Sequence, residues 1–226
     1  MAAYAKAELL ACVIARLLAG TRHAAIGASS PIPAAGCFLR KAADPSFRVS
    51  LQQRRAANPF TEGSREIFDL AGQGRIDAFF LGGAQIDGSG AINLLSADGK
   101  RFPGSFGSAY MYPTVKNVIL FREEHSRRTL VPKVEFVSAR GEPKALLTGK
   151  ALFGWQKDRR RFRLESVHPG HTVEEVRDDT GFDFDFQEVT ATREPTGEEL
   201  ASLRGPVARS IRADYPDFTR KVWGLH

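Results

Sequence analysis

The sequence predicts an α/β chain, an open and mainly parallel sheet with helices on both faces, carried as a single domain over residues 1–226. Three observations predict it. Ile76-Asp77-Ala78-Phe79-Phe80-Leu81 is a nearly unbroken apolar run, too short for a typical helix and closed by Gly82-Gly83, as a strand buried on both faces would be. Upstream of it, helical and extended patterns alternate in the order α, β, α, β, α, β, which is the order of a parallel sheet with helical crossovers. A chain of 226 residues with 42% hydrophobic and 26% charged side chains has the composition of an ordinary globular domain and the length to bury one good core.

The elements follow from local patterning. Residues 3–19 place Leu9, Leu10, Val13, Ile14, Leu17 and Leu18 at helical spacing, and Gly20 closes the segment. Residues 23–27 form a short strand. Ser29-Ser30-Pro31-Ile32-Pro33 turns into a helix over Ala34 to Ala42. Phe47 to Gln52 alternates apolar and polar residues as a strand does, and a loop through Asn58-Pro59 follows. Ser64 is placed to cap a helix from Arg65 to Ala71, with Ile67, Phe68 and Leu70 facing inward. Beyond Asn93 the pattern is less regular: strands are expected at Asn117–Phe121, Val131–Val137, Ala151–Trp155 and Phe162–Ser166, the last two paired about a basic run. Gly104 to Ala109 is a turn that opens a short helix. Thr172 and Glu175 have capping-box spacing, Asp183 to Phe186 alternates like a strand, and a last helix is expected from Thr196 to Arg212.

Composition excludes several classes. No apolar run approaches the length of about 20 residues that spans a bilayer. Lys6, Glu8 and Arg16 interrupt the N-terminal segment, so it reads as a first helix rather than a signal peptide. Cys12 and Cys37 lack the spacing of a metal or redox pair, and a reduced, cytoplasmic protein is expected. His23, His125, His168, His171 and His226 show no zinc-ligand spacing, and no metal is expected. The formal charge of +6 arises from scattered basic residues apart from the run Lys157 to Arg163, which reads as a solvated edge; a basic surface also suits a small polyanionic ligand, and no nucleic-acid partner is expected.

The candidate site is the stretch Phe79 to Asn93. Gly82-Gly83 allows the backbone to present N–H groups just past the carboxyl end of a strand, where open α/β sheets place ligands. Gln85 and Asp87 stand on the same turn. Read alone, this is a tight turn with a solvated Asp. The hydroxyls of Ser29 and Ser30 and the amides of the helix after them suit either an anion or, more simply, helix capping.

Four blocks, GRIDAFFLGGAQIDGSGAIN, RFPGSFGSAYM, EEHSRRTLVPKVEFVSA and HPGHTVEEVRDDTGFDFD, together resemble the β subunit of class I coenzyme A transferases, closest in type to the B subunit of glutaconate CoA-transferase and its 3-oxoacid relatives. The resemblance runs from about Glu8 to about Leu203. It implies the fold shared by NagB, RpiA and CoA-transferases, an α-type partner subunit in a heterotetramer, and coenzyme A as substrate and product. It also implies attack by a β-subunit glutamate on an acyl-CoA carbonyl, through an anhydride to a glutamyl-CoA thioester, helped by proximity and by backbone amides. Here Gln52 takes that glutamate's position, and a neutral amide forms neither anhydride nor thioester. Glu62 and Glu66 lie nearby in sequence but read as structural, Glu66 at a helix first turn. The resemblance therefore places Gln52, Gly82, Gly83 and Ala84 at the reacting centre and Gln85, Asp87, Ser29, Ser30, Gly104 and Ser105 around the substrate. The alternatives are a ring-opening acyl-CoA hydrolase subunit and a non-catalytic partner.

Overall fold

The computed structural model describes residues 4–54, 60 and 62–225. In chain order it contains α1 (Lys6–Leu17), β1 (His23–Ile26), α2 (Pro31–Ala43), β2 (Arg48–Leu51), α3 (Ser64–Gly72), β3 (Ala78–Leu81), β4 (Gln85–Asp87), β5 (Ile92–Asn93), β6 (Ser96–Ala97), β7 (Lys100–Arg101), α4 (Ser108–Thr114) and β8 (Asn117–Arg122). There follow β9 (Leu130–Val131), β10 (Ala145–Thr148), β11 (Ala151–Gln156), β12 (Arg161–Val167), α5 (Val173–Asp179), β13 (Thr190–Ala191), α6 (Gly197–Ser202), a π-turn at Leu203–Val207, α7 (Ala208–Ile211) and α8 (Pro216–Trp223). The fold is α/β, with a large, mostly parallel sheet and helices.

Two compact units make up the chain. The first comprises Met1–Ile67, Arg75–Ala78 and Arg193–His226. In it β1 and β2 pair in parallel, Ile26 opposite Leu51, and α1 and α2 bury Leu9, Leu10, Ile14, Ala34, Ala35 and Leu39. Cys12 and Cys37 are free and buried on these helices. Burial drives both thiols up, Cys12 to about 12, which disfavours the thiolate. Asp77, at the entry to β3, accepts the backbone N–H groups of Arg22 and His23 at 2.9 and 3.0 Å and fixes the start of β1. The C-terminal helices are fastened to α1 by Glu8, whose buried carboxylate meets Arg204 at 2.8 and 2.9 Å, the Trp223 indole N–H at 3.1 Å and the Ala5 amide at 2.8 Å.

The second unit comprises Phe68–Gly74 and Phe79–Thr192. Its strands run in the order β13-β12-β11-β10-β8-β3, with β8–β10 and β12–β13 parallel and β10–β11–β12 antiparallel. A separate three-stranded sheet, β5-β4-β9, and the β6–β7 hairpin complete it. Phe153, Phe162, Phe182 and Phe184 form an aromatic core with ring centroids 5.2–6.4 Å apart. His125 lies against it, donating or accepting at Thr148 Oγ1 (2.7 Å) and Thr180 Oγ1 (3.0 Å).

That histidine carries a pH prediction. Burial drives its pKa down to about 4, so the folded state holds it neutral. Below its unfolded value near 6.5 the unfolded chain binds the proton first, and stability falls as pH drops from there through 4. The expected loss is on the order of 3 kcal/mol, read as a lower urea midpoint at pH 4 than at pH 7, and His125→Asn is expected to flatten that slope.

Several expectations are corrected. The second helix begins at Pro31, not Ala34, because Pro at the first helical position needs no N–H partner. In α3 it is Ile67 and Ala71 that are buried, while Phe68 and Leu70 are partly exposed. The strand expected over Val131–Val137 ends at Val131, since Pro132 cannot donate to a ladder. Asp183–Phe186 makes only an isolated bridge, Arg163 to Asp185, and the edge strand is Thr190–Ala191. The helix entered through Thr196 widens into the π-turn around Pro206, and α8 lies beyond it. β10 went unrecognised as a strand. The Asn58-Pro59 loop, His226 and the Ser64 side chain lie outside the described residues.

Candidate active site

In the first unit, Gln52 sits immediately past the end of β2, its backbone N–H donating to Ile26 at 3.0 Å. The turn Leu51–Arg54 is closed by a 3.1 Å bond from the Arg54 amide to the Leu51 carbonyl. Arg54 anchors that turn. Its guanidinium donates to Asp214 (2.7 and 3.0 Å) and to the Ser210 carbonyl (2.6 Å) and lies 5.0 Å from the Phe38 ring centroid. Gln52 itself is half-buried. Its Oε1 lies 4.0 Å from the point where a side chain on Gly27 would begin, and no protein group among the described residues bonds to its side-chain amide.

Ser29 and Ser30 stand at the matching end of β1. Ser29 takes a left-handed φ of 56°. Ser30 is the N-cap residue of α2, yet its hydroxyl donates to the Ala28 carbonyl at 3.2 Å and caps nothing. Pro31 and Pro33 remove two of the donors that an anion would need at that helix start. Of the nearby acids, Glu66 accepts the Glu62 amide at 3.3 Å and Glu62 pairs with Arg65 on the surface.

In the second unit, Gly82 and Gly83 follow β3 directly, and neither takes a left-handed φ. Glycine is required at 83 for a different reason: a Cβ there would lie 2.7 Å from the Gln85 carbonyl oxygen. The Ala84 amide donates to the Asn93 carbonyl at 2.8 Å, so the amides that can face a ligand narrow to those of the glycines.

Gln85 and Asp87 are both buried, 4% exposed each. Gln85 Oε1 accepts the Asn93 side-chain amide (2.8 Å) and the Glu135 backbone N–H (3.0 Å), while its Nε2 donates to Glu135 Oε1 (2.8 Å). Asp87 Oδ1 accepts from the Ser89 amide (2.9 Å), the Ser89 hydroxyl (2.6 Å) and the Ala91 amide (3.3 Å), and Oδ2 accepts the Val134 amide (3.2 Å). The two side chains thus clasp the segment KVEFV to β4, the strand after the glycines. Their acceptors are engaged by the protein itself.

Glu135, which no sequence signal marks, links the two blocks, and its carboxylate also accepts the Asp98 amide at 3.3 Å. The β6–β7 hairpin is a further element absent from the sequence expectations. The signal was available in Asp98-Gly99, a pair suited to a two-residue hairpin turn, with φ of 52° and 72°. Gly104 and Ser105 lie in the loop leading to α4, where the Ser105 carbonyl accepts the Ser108 amide at 2.8 Å. Among the described residues no His, Cys, Asp and Glu side chains gather as a metal site requires, and no helix is long and apolar enough to cross a membrane.

An α/β chain with side chains and amides at its strand tips is the class this geometry defines. Residues 42–179 match the family model described as coenzyme A transferase, and the chain belongs to that family. It is 27% identical over 254 aligned positions to the B subunit of 3-oxoadipate CoA-transferase from Pseudomonas knackmussii, covering 94% of this chain and 97% of that one. It is 28% identical over 172 positions to the cholesterol ring-cleaving hydrolase IpdB subunit of Rhodococcus jostii, covering 66% of each. Two crystal structures share the fold. Glutaconate coenzyme A-transferase from Acidaminococcus fermentans has a TM-score of 0.80 at 20% identity, over 90% of this chain and 94% of that one. The decarboxylase AibA/AibB has a TM-score of 0.80 at 23% identity, over 98% and 99%.

Proposed function

We propose that this chain is the B-type subunit of an enzyme acting on an acyl-CoA thioester of the glutaconate or 3-oxoacid type, assembled with an α-type subunit in a heterotetramer. Its length-wide similarity to a 3-oxoadipate CoA-transferase B subunit supports the assignment. In this reading Gln52 hydrogen-bonds the thioester or its product, and the Gly82-Gly83 amides polarise the carbonyl toward the oxyanion. Ser29, Ser30, Gly104 and Ser105 border the substrate, while Gln85, Asp87 and the Ala84 backbone hold the glycine turn in place. Coenzyme A is bound as substrate and product, with no metal.

The observation that carries the reading is the amide of Gln52, unengaged among the described residues, on an anchored strand tip, in a family where the resemblance implies a glutamate there. A neutral side chain binds but does not attack. That same neutrality favours a second reading, acyl-CoA hydrolysis with the acid or base supplied by another group, and the similarity to a ring-cleaving hydrolase subunit supports it.

Incubating the purified complex with acyl-CoA separates the two: acyl transfer to an added carboxylic acid marks a transferase, whereas free CoA without an acceptor marks a hydrolase. Absence of acyl-CoA binding refutes both. Gln52→Ala is expected to weaken acyl-CoA binding about tenfold, the loss of one hydrogen bond to the ligand. Gln52→Glu is expected to retain CoA as a protein thioester detectable by mass spectrometry.

A further inference from the structure

We infer that the arm from Leu95 to Tyr110 binds the phosphorylated adenosine end of coenzyme A, with Phe106 as a stacking platform for the base and Lys100 and Arg101 as its phosphate contacts. This rests on the acyl-CoA reading above.

The arm is rooted beside the glycine turn. Asn93, paired with Gln85, binds the Ser96 carbonyl at 2.5 Å and the Leu95 amide at 3.0 Å, and Glu135 joins the hairpin tip at the Asp98 amide to Gln85. β7 is exposed, and neither Lys100 nor Arg101 forms an ion pair among the described residues. In the basic run Lys157 to Arg161, by contrast, Arg159 and Arg161 meet Asp185, and Lys157 and Arg160 meet Glu142. Asp98 at the turn leaves the hairpin net positive.

Past the hairpin comes an aromatic edge. Phe102, Phe106 and Tyr110 are 39%, 77% and 45% exposed. Phe106 holds a left-handed φ of 44°, a conformation costly for a bulky side chain and one that collects at ligand clamps. Its ring is braced by Phe68 at 5.8 Å, which also meets Tyr110 at 5.7 Å. Phe68 fills the slot beside Gly107, where a Cβ would lie 2.2 Å from the ring. A strained, propped aromatic turned toward solvent, on an arm with uncompensated cations, matches a ligand that carries both a flat base and phosphates.

The test is calorimetry on the full chain and on the complex in which it purifies, using CoA, dephospho-CoA and phosphopantetheine. Phe106→Ala is expected to weaken CoA and dephospho-CoA about tenfold and leave phosphopantetheine unchanged, with Phe106→Trp restoring affinity. Lys100→Ala with Arg101→Ala is expected to weaken CoA most, with a shallower salt dependence of binding. Equal affinity of the unaltered protein for CoA and phosphopantetheine overturns the inference and leaves the acyl-CoA reading standing, as does unchanged CoA affinity in the variants. Loss of subunit assembly in Phe106→Ala with CoA affinity retained assigns the edge to a protein partner and overturns it too. Failure of the unaltered protein to bind any of the three overturns the acyl-CoA reading itself.

Discussion

Arg204→Met is expected to lower the folding free energy by about 3 kcal/mol, more than Glu8→Gln, which is expected to cost about 1–2 kcal/mol. The asymmetry follows from where each charge sits. The Glu8 side chain is 2% exposed and the Arg204 side chain 47%. Removing the arginine strands a buried carboxylate whose remaining hydrogen bonds, from the Ala5 amide and the Trp223 indole N–H, carry no countercharge. Removing the carboxylate's charge leaves a guanidinium that reaches water. Burial pushes the Glu8 carboxyl up, but Arg204 and those two donors outweigh it and hold the pKa below the ordinary glutamate value. A depressed carboxylate contributes stability that is present above its unfolded pKa and lost as pH falls through the folded one. Urea midpoints of unaltered protein and Arg204→Met are therefore expected to converge on acidification. Equal midpoints at pH 7 would show that the clasp between α1 and the C-terminal helices contributes nothing.

That clasp also marks the limit of what the sequence discloses. Leu9, Leu10, Val13 and Ile14 announced α1 by spacing, and all four are buried. Glu8 looked like an interruption of an apolar stripe, because its partner lies 196 residues away and periodicity carries no information about such a pair. The strands β1, β2, β3, β8, β11 and β12 were legible as short apolar or alternating runs, since each takes its pattern from its own burial. The stretch around Val134 to Val137 was misread as a strand for the converse reason. Its apolar residues at 136 and 137 are exposed, and the segment is held by side-chain acceptors from Gln85 and Asp87 rather than by a ladder. The glycine pair was found from sequence, but its physical role was not: close approach at Gly83, visible only once the Gln85 carbonyl is placed, replaces the conformational freedom expected there.

Asp87→Ala is expected to destabilise the second unit by about 4 kcal/mol, because the four donors on Ser89, Ala91 and Val134 lose their acceptor at once. The Ala91 donor is buried, so water cannot replace the carboxylate there. Asp87→Asn separates support from ligand contact. Its carboxamide can keep the Ser89 and Ala91 bonds at one atom, but turns an N–H toward the Val134 N–H, so a loss of about 1–3 kcal/mol is expected from that single donor. If the clasp sets the glycine turn, ligand affinity falls together with the thermal midpoint in both variants, and stabilising conditions recover part of each. If instead Asp87 met the substrate directly, Asp87→Asn would lose ligand at an unchanged midpoint. The first outcome is expected, since both oxygens of this buried carboxylate already accept from the protein, and the turn that carries Gly82 and Gly83 is only as rigid as the segment it grips.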